Sequence, residues 1–173
     1  MEYCDAGNMD ENRWEFSAQE LMSIMKGVLE GLLHMHNNKI VHRDIKPANI
    51  LLKGIKGARV AKLCDFGASR TFEKDQLLWT VIGTEPYMAP DYEKGFGYDD
   101  GVDIWAFGAV LYEMITGEIP FPDPTVDKIA VAKGFKILPQ VFENIFRPNP
   151  TRDSAKELLQ KVFGKGFTEK EDE

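Results

Sequence analysis

The sequence predicts a mainly α-helical domain with a few short β-strands, on three observations. From Ser17 to His36 the apolar residues Leu21, Met22, Met25, Val28, Leu29, Leu32 and Leu33 recur at threes and fours, the period of an amphipathic helix. From Val102 to Ile115 the chain is apolar almost all round, with Trp105, Phe107, Val110, Leu111 and Met114, which predicts a central, buried helix. Between them lie three short β-like pieces, Lys39 to Val41, Ile50 to Leu52 and Val60 to Cys64, none long enough to stand alone.

The elements follow in order. Ser17 and Glu20 form an S-x-x-E pair, the pattern of a capping box at the start of the first helix. Lys53 to Arg59, bearing glycines, reads as the loop between the second and third strands. Residues 68 to 100 lack periodicity and contain Gly83, Pro86, Pro90, Gly95 and Gly97, so they predict a long irregular segment, a kind that is usually functional. Gly117 supplies a C-terminal stop for the apolar helix, and Pro120, Pro122 and Pro124 enforce a turn. Val126 to Ala132, Val141 to Phe146 and Ser154 to Phe163 predict three further short helices. One domain over residues 1–163 and a charged tail over 164–173 result.

Composition narrows the function classes. Against 28 acidic residues stand 21 Lys plus Arg, a formal net charge of −7, where a nucleic-acid binder needs a basic footprint. Apolar residues at 43% are enough for a core, so disorder is disfavoured and no nucleic-acid partner is expected. No run approaches the roughly 20 apolar residues of a membrane span, and the start MEYCDAGNMDENR is acidic where a signal peptide is basic and then apolar. Cys4 and Cys64 suffice for neither a disulfide framework nor a thiolate zinc cluster. A cytoplasmic setting without membrane contact is the expectation.

The chemistry concentrates in His42-Arg43-Asp44-Ile45-Lys46-Pro47-Ala48-Asn49, which puts a carboxylate, two cations and a carboxamide into one short stretch. Phosphoryl transfer needs such a set: a carboxylate for the hydroxyl proton, a cation for the moving charge, and a hard oxygen for Mg²⁺. Asp65-Phe66-Gly67 follows with a second hard oxygen on a turn. Taken singly, each triplet reads equally well as something bland, since DFG is a common tripeptide and HRD suits a surface ion-pair cluster.

Together they resemble the catalytic half of a eukaryotic-type protein kinase, in which HRD and DFG belong to a known signature set. The resemblance runs from Met1 to about Phe163 and includes HRDIKPAN at 42 to 49, DFG at 65 to 67, GTEPYMAPD at 83 to 91, DIWAFG at 103 to 108 and RPNPTR at 147 to 152. Lys46 and Thr84 mark the Ser/Thr rather than the tyrosine branch. The fold implied is a kinase-like C-terminal lobe, the activity ATP- and Mg²⁺-dependent transfer to Ser or Thr of a protein substrate. By resemblance, Asp44, Lys46 and Thr84 are catalytic, with Asp44 acting on the hydroxyl, Lys46 on the γ-phosphate, and Thr84 tying the substrate-binding segment to both. Asn49 and Asp65 would hold Mg²⁺. Leu51 would lie beneath adenine and the backbone of Glu2 and Cys4 at its edge, with Met1 at the gatekeeper position. His42 and Phe66 resemble members of a stacked apolar column, and Asp103 the carboxylate that anchors the catalytic loop. Cys64 would face the nucleotide, although its residue type reads as an inert packed thiol.

Residues 68–91 would form an activation loop switched by phosphorylation of Thr80, with Thr71 and Ser69 as competing sites and Arg43 and Arg70 converging on the phosphate. Asp91, where the family has Glu, and the tight Pro150-Thr151-Arg152 spacing put the Asp91–Arg152 ion pair in doubt. Residues 121–141 are short for the family. No G-x-G-x-x-G loop and no lysine strand precede the catalytic segment, where Lys26 and Lys39 are the only lysines before His42, and Gly95-Phe96-Gly97 is a weak match on the wrong side. The expectation is a hinge and C-lobe without its N-lobe, with the N-lobe or a partner covering an exposed face around Tyr3, Leu51 and Phe66, and inactive alone. The alternative from another class is a non-catalytic interaction module built on the C-lobe surface.

Overall fold

A computed structural model describes residues 2–71, 80, 82–93, 98–119, 138–147 and 150–164. The first long helix, α1, spans Ala18–Asn37 and buries Leu21, Met25, Val28, Leu29 and Leu32 along one stripe. Ser17 caps it, accepting the Glu20 N–H at 3.1 Å. The reciprocal half of the expected capping box does not form. Glu20 turns inward instead and receives Arg59 Nε at 2.8 Å and the Gly57 N–H at 2.8 Å, because an ion pair sealed from water outweighs a bond to one exposed backbone N–H. Ser154 and Glu157 carry the complete box, ahead of a shorter helix.

Helix α2, Gly101–Thr116, meets its expectation: every residue from Val102 to Ile115 is buried, and Gly117 ends it in the left-handed region at φ 79°. Two acids, Asp103 and Glu113, sit inside this apolar helix, and both are hydrogen-bonded. Helix α3, Leu138–Ile145, begins before the expected Val141 and packs Phe142 and Ile145 on α2. Gly108 permits that approach, since a Cβ there would lie 2.2 Å from Ile145 Cγ2. The last predicted helix divides into α4, Ala155–Leu158, and one π-turn, Leu159–Phe163.

The strands are β1 (Ile40–Val41), β2 (Ile50–Lys53), β3 (Val60–Leu63) and β4 (Arg70–Thr71). β2 and β3 pair antiparallel with Ile50 opposite Leu63, and β1 pairs antiparallel with β4 with Val41 opposite Arg70. Lys39, expected in a strand, is a left-handed turn residue at φ 60°. β4 corrects the reading of an irregular stretch from residue 68, since a two-residue strand has no periodicity to detect. Residues 6–9 run beside β2, through Ala6 N–H to Leu52 O, Leu52 N–H to Gly7 O and Met9 N–H to Ile50 O. This strap buries Met9 completely and leaves Leu51 half-buried, so Leu51 is less open than expected.

One main core joins α1, α2, α3, α4 and β2, and a smaller one of Val41, Ala89, Tyr98, Val102 and Trp105 supports the candidate site. Among the described residues no helix is long and apolar enough to cross a membrane. The expected helix over 126–132, the prolines at 120, 122 and 124, Met1, Gly95 to Gly97, most of the segment between Thr71 and Gly83, and the tail from residue 165 lie outside the described residues.

Candidate active site

The loop between β1 and the 3₁₀ turn Pro47–Asn49 carries the chemistry. Its backbone is fixed from below by Asp103, in the first turn of α2, whose carboxylate accepts the N–H of His42 at 2.9 Å and of Arg43 at 2.8 Å. Arg43 takes a left-handed φ of 70°, an unfavourable state for a side chain with a Cβ. Those two N–H bonds hold the turn that points Asp44 away from the core. His42 is fully buried and rests against Phe66 with ring centroids 5.3 Å apart. Its Nε2 donates to Cys64 O at 3.0 Å, and its Nδ1 accepts the Asp44 N–H at 3.3 Å.

Asp44 stands at the centre of the site. Thr84 Oγ1 donates to Oδ1 at 2.7 Å, Lys46 Nζ lies 2.8 Å from Oδ2, and Asn49 Nδ2 donates to Oδ2 at 3.0 Å and to the Asp44 carbonyl at 2.9 Å. Lys46 also donates to Thr84 Oγ1 at 2.8 Å, closing a ring of three side chains. Partial burial works to raise the Asp44 carboxyl, but the hydrogen bonds from Lys46 and Thr84 and the Lys46 charge outweigh it and hold it below the ordinary carboxylate value. Thr84 reaches this ring because Gly83 lets its segment pass within touching distance of Arg43. At φ 144°, a Cβ on Gly83 would sit 2.9 Å from Arg43 O.

Asn49 commits its amide hydrogens to Asp44, which leaves its carbonyl oxygen as the atom it offers a cation. Asp65, at φ 60°, is exposed and accepts the Gly67 N–H at 3.4 Å. Among the described residues no group of three or more His, Cys, Asp or Glu could hold a metal by itself. Two hard oxygens without a protein cage suit Mg²⁺ that completes its shell with phosphates and water, and not a tightly held structural ion.

The remaining sequence-derived positions fall as follows. Glu2 is exposed, and its carboxylate, drawn below its ordinary value by the Lys53 hydrogen bond and then that of Lys62, spans the β2–β3 pair. Cys4 and Cys64 are free thiols, half-buried, and burial pushes the Cys64 thiol up, which fits the inert reading better than a reactive one. Tyr3 is 81% and Phe66 54% exposed, and Phe66 lies against His42. Thr80 is exposed and Arg70 lies exposed in β4, with no contact to Thr80 among the described interactions. Arg43 is buried and already engaged. Its Nε donates to Ala68 O at 2.6 Å and its NH1 to Tyr98 OH at 3.0 Å, while that hydroxyl donates to Thr80 O at 2.6 Å.

Sequence reasoning passed over several residues that the fold brings here. Tyr98 links Arg43 to Thr80, and His36 meets Asp103 from the end of α1. Tyr87, beyond Thr84, donates to Glu113 at 2.7 Å, and Arg13 pairs with the other oxygen of Glu113 at 3.0 Å. Nothing local in the sequence marks these pairs. The doubtful Asp91–Arg152 pair does form, at 2.8 Å with Arg152 1% exposed, because the guanidinium reaches over the Trp105 ring at 5.1 Å.

Comparison with known proteins agrees with this geometry. Residues 1–169 match the protein kinase domain family. The chain is 41% identical over 138 residues to the Mus musculus inhibitor of nuclear factor kappa-B kinase subunit epsilon, covering 70% of the chain and 19% of that protein. It is 34% identical over 181 residues to the Homo sapiens serine/threonine-protein kinase Nek5, covering 94% of the chain and 25% of that protein. It is 43% identical over 129 residues to the Schizosaccharomyces pombe MAP kinase kinase skh1/pek1, covering 70% of the chain and 34% of that protein. The chain thus spans between about a fifth and a third of the length of these curated relatives. With the family match covering nearly the whole sequence, Lys46 and Thr84 meeting at Asp44, and Phe66 of the DFG triplet against His42, the chain belongs to the eukaryotic-type protein kinase domain family.

Proposed function

We propose that these residues form the catalytic-loop, metal-binding and substrate-facing parts of a Ser/Thr protein kinase that transfers the γ-phosphoryl group of ATP to a protein hydroxyl. The observation that carries the reading is the ring at Asp44: one carboxylate held by a hydroxyl, an ammonium and a carboxamide at 2.7–3.0 Å. Bound Mg·ATP supplies the electrophilic phosphoryl group and neutralises its charge. Asn49 and Asp65 would hold the metal ion, Lys46 would face the γ-phosphate, and Glu2, Cys4 and Leu51 would line the adenine side.

Asp44 accepts the acceptor hydroxyl's hydrogen bond and orients its oxygen. Its lowered pKa makes it a weak base, so its work is orientation first and proton acceptance as the O–P bond forms. Thr84 fixes the carboxylate's rotation and joins it to the segment on which a protein substrate would lie. Positioning of this kind accounts for most of the catalysis in phosphoryl transfer.

Phosphorylation of Thr80 is proposed to regulate the site. A phosphothreonine adds about −1.5 to −2 charge beside the Arg43–Tyr98 pair, with Arg70 as the second cation. Equal activity of wild type and Thr80→Ala in the full-length protein under activating conditions refutes that step.

None of the 173 residues forms a glycine-rich loop or a lysine strand before His42, so the chain assayed alone is proposed to transfer phosphate negligibly. The exposed face at Tyr3 and Phe66 would then be covered by a kinase N-lobe. The test is a radiolabelled ATP assay on a basic Ser/Thr substrate, with the chain alone and with a separately expressed kinase N-lobe added. Transfer that appears on addition and is lost with Asp44→Asn supports the proposal. No transfer, with tight capture of a partner at that face, favours an interaction module instead.

A further inference from the structure

We propose that Asn12 is a positioning residue for the nucleotide side of the site: its carboxamide, aimed by the buried Arg59–Glu20 pair, gathers the carbonyls of Ala6 and Asn8 and so seats the strap of residues 6–9 along β2. The consequence for nucleotide affinity rests on the kinase reading; the relay itself does not.

The relay starts at Arg59, which is buried at the head of β3. Its Nε and Nη2 donate to the two oxygens of Glu20 at 2.8 and 3.1 Å, and its guanidinium lies over the Phe16 ring at 4.7 Å. A planar fork gripped along one edge and on one face is not free to turn. Its third nitrogen, Nη1, is thereby aimed at a set place, where it donates to Asn12 Oδ1 at 2.7 Å.

That contact decides which way the Asn12 amide faces. With the oxygen on the guanidinium, Nδ2 turns to the strap and donates to Ala6 O at 2.9 Å and to Asn8 O at 2.8 Å. A carboxamide has two donor hydrogens on nitrogen and an acceptor oxygen, and here all three have partners. The flipped amide would set its hydrogens against a cation and its oxygen against two carbonyls. The gathered carbonyls flank Gly7, whose left-handed φ of 72° bends the strap, so one side chain holds the bend on both sides. On its other edge the strap meets β2 through Ala6 N–H to Leu52 O, Leu52 N–H to Gly7 O and Met9 N–H to Ile50 O. Leu51 lies within that stretch of β2, and Cys4 is two residues ahead of Ala6. Both belong to the proposed adenine side, whereas no described hydrogen bond of Asn12 reaches Asp44 or Lys46.

Two variants separate an orienting amide from a space-filling one. Asn12→Asp is nearly isosteric and keeps an oxygen for Arg59, but turns the strap-side donor into an anionic acceptor facing two carbonyls. Asn12→Ala removes the group and leaves those carbonyls to water. A side chain that only fills space makes Asn12→Ala the worse of the two; the relay makes it Asn12→Asp. The readout in the 173-residue chain is amide hydrogen exchange by NMR at Ala6, Met9 and Leu52, with Val110 and Leu111 in α2 as controls. Protection of the three strap amides is expected to fall about tenfold in Asn12→Asp and about threefold in Asn12→Ala, with the controls unchanged. Strap amides as protected in Asn12→Asp as in wild type, a greater loss in Asn12→Ala, or a loss shared equally by the controls overturns the proposal. In the full-length protein, Asn12→Asp should raise KM for Mg·ATP about three- to tenfold with kcat unchanged. An unchanged KM beside a loosened strap overturns the step to the nucleotide. A wild-type protein that binds no nucleotide contradicts the kinase reading instead, while the strap amides still decide the relay.

Discussion

Replacing Arg152 by lysine keeps the charge and removes the fork. The guanidinium makes three separate bonds, to Asp91 Oδ2 at 2.8 Å, Gly101 O at 2.8 Å and Arg147 O at 3.1 Å, and a lysine at the same place can reach one of them. The bond to Asp91 is charge-assisted and contributes about 1.5–3 kcal/mol, and each carbonyl bond about 1 kcal/mol. If lysine restores the strongest, two are lost; if it restores a carbonyl, Asp91 is left buried and unpaired. The expected cost of Arg152→Lys is therefore about 2–4 kcal/mol, or a fall in Tm of roughly 5–15 °C for a chain of this size. The assay is thermal unfolding of the chain followed by circular dichroism, with Asp91→Asn and the double variant completing a cycle. The double variant should cost less than the two single costs added, because both remove the same bond. A Tm for Arg152→Lys within 1 °C of wild type, or full additivity, refutes the reasoning.

Gly83→Ala should lower kcat by about 10- to 100-fold and Tm by a few degrees, since the new Cβ meets Arg43 O at 2.9 Å at a φ of 144° and moves Thr84 off Asp44; steady-state kinetics beside a melting curve checks it. Glu20→Gln should cost about 3 kcal/mol in urea unfolding, because Arg59, 3% exposed, loses its buried counter-ion and keeps only the half-exposed Glu15 at 3.8 Å, whereas Glu20→Met with Arg59→Met should recover most of the loss. The lowered pKa of Asp44 means that its cluster stabilises the fold fully above 3.8 and loses that contribution as the pH falls through the lower folded value. The difference in unfolding free energy between wild type and Asp44→Asn should accordingly be flat from neutrality to about pH 4 and shrink below it, as measured by urea titrations at stepped pH.

The long helices are legible in the sequence because burial imposes a period on α1 and an all-round apolar run on α2, and both survive contact with the rest of the fold. The HRD and DFG residues are legible because they are local. What escapes is decided by partners far along the chain. Glu20 satisfies every local rule for a capping box and is diverted by Arg59, a residue 39 positions on. His36 looks like one more polar residue at a helix end until Asp103, 67 positions away, comes up beneath it. Tyr98 falls in a stretch without periodicity, and its hydroxyl gains meaning only when Arg43 and Thr80 stand on either side. The pair of Asp91 and Arg152 stood in doubt on spacing, yet a long guanidinium stem reaches across one residue more or less.

In the proposed function two aspartates divide the work, Asp44 acting on the hydroxyl and Asp65 on the metal. The most direct test titrates Mg·ATP, and ATP without Mg²⁺, against the full-length protein and its Asp44→Asn and Asp65→Asn variants by calorimetry, with single-turnover transfer followed in the same samples. Near wild-type binding and lost transfer are expected for Asp44→Asn, and for Asp65→Asn a loss of the Mg²⁺-dependent part of binding as well. Equal binding losses in the two variants, or transfer undiminished in Asp44→Asn, would contradict it.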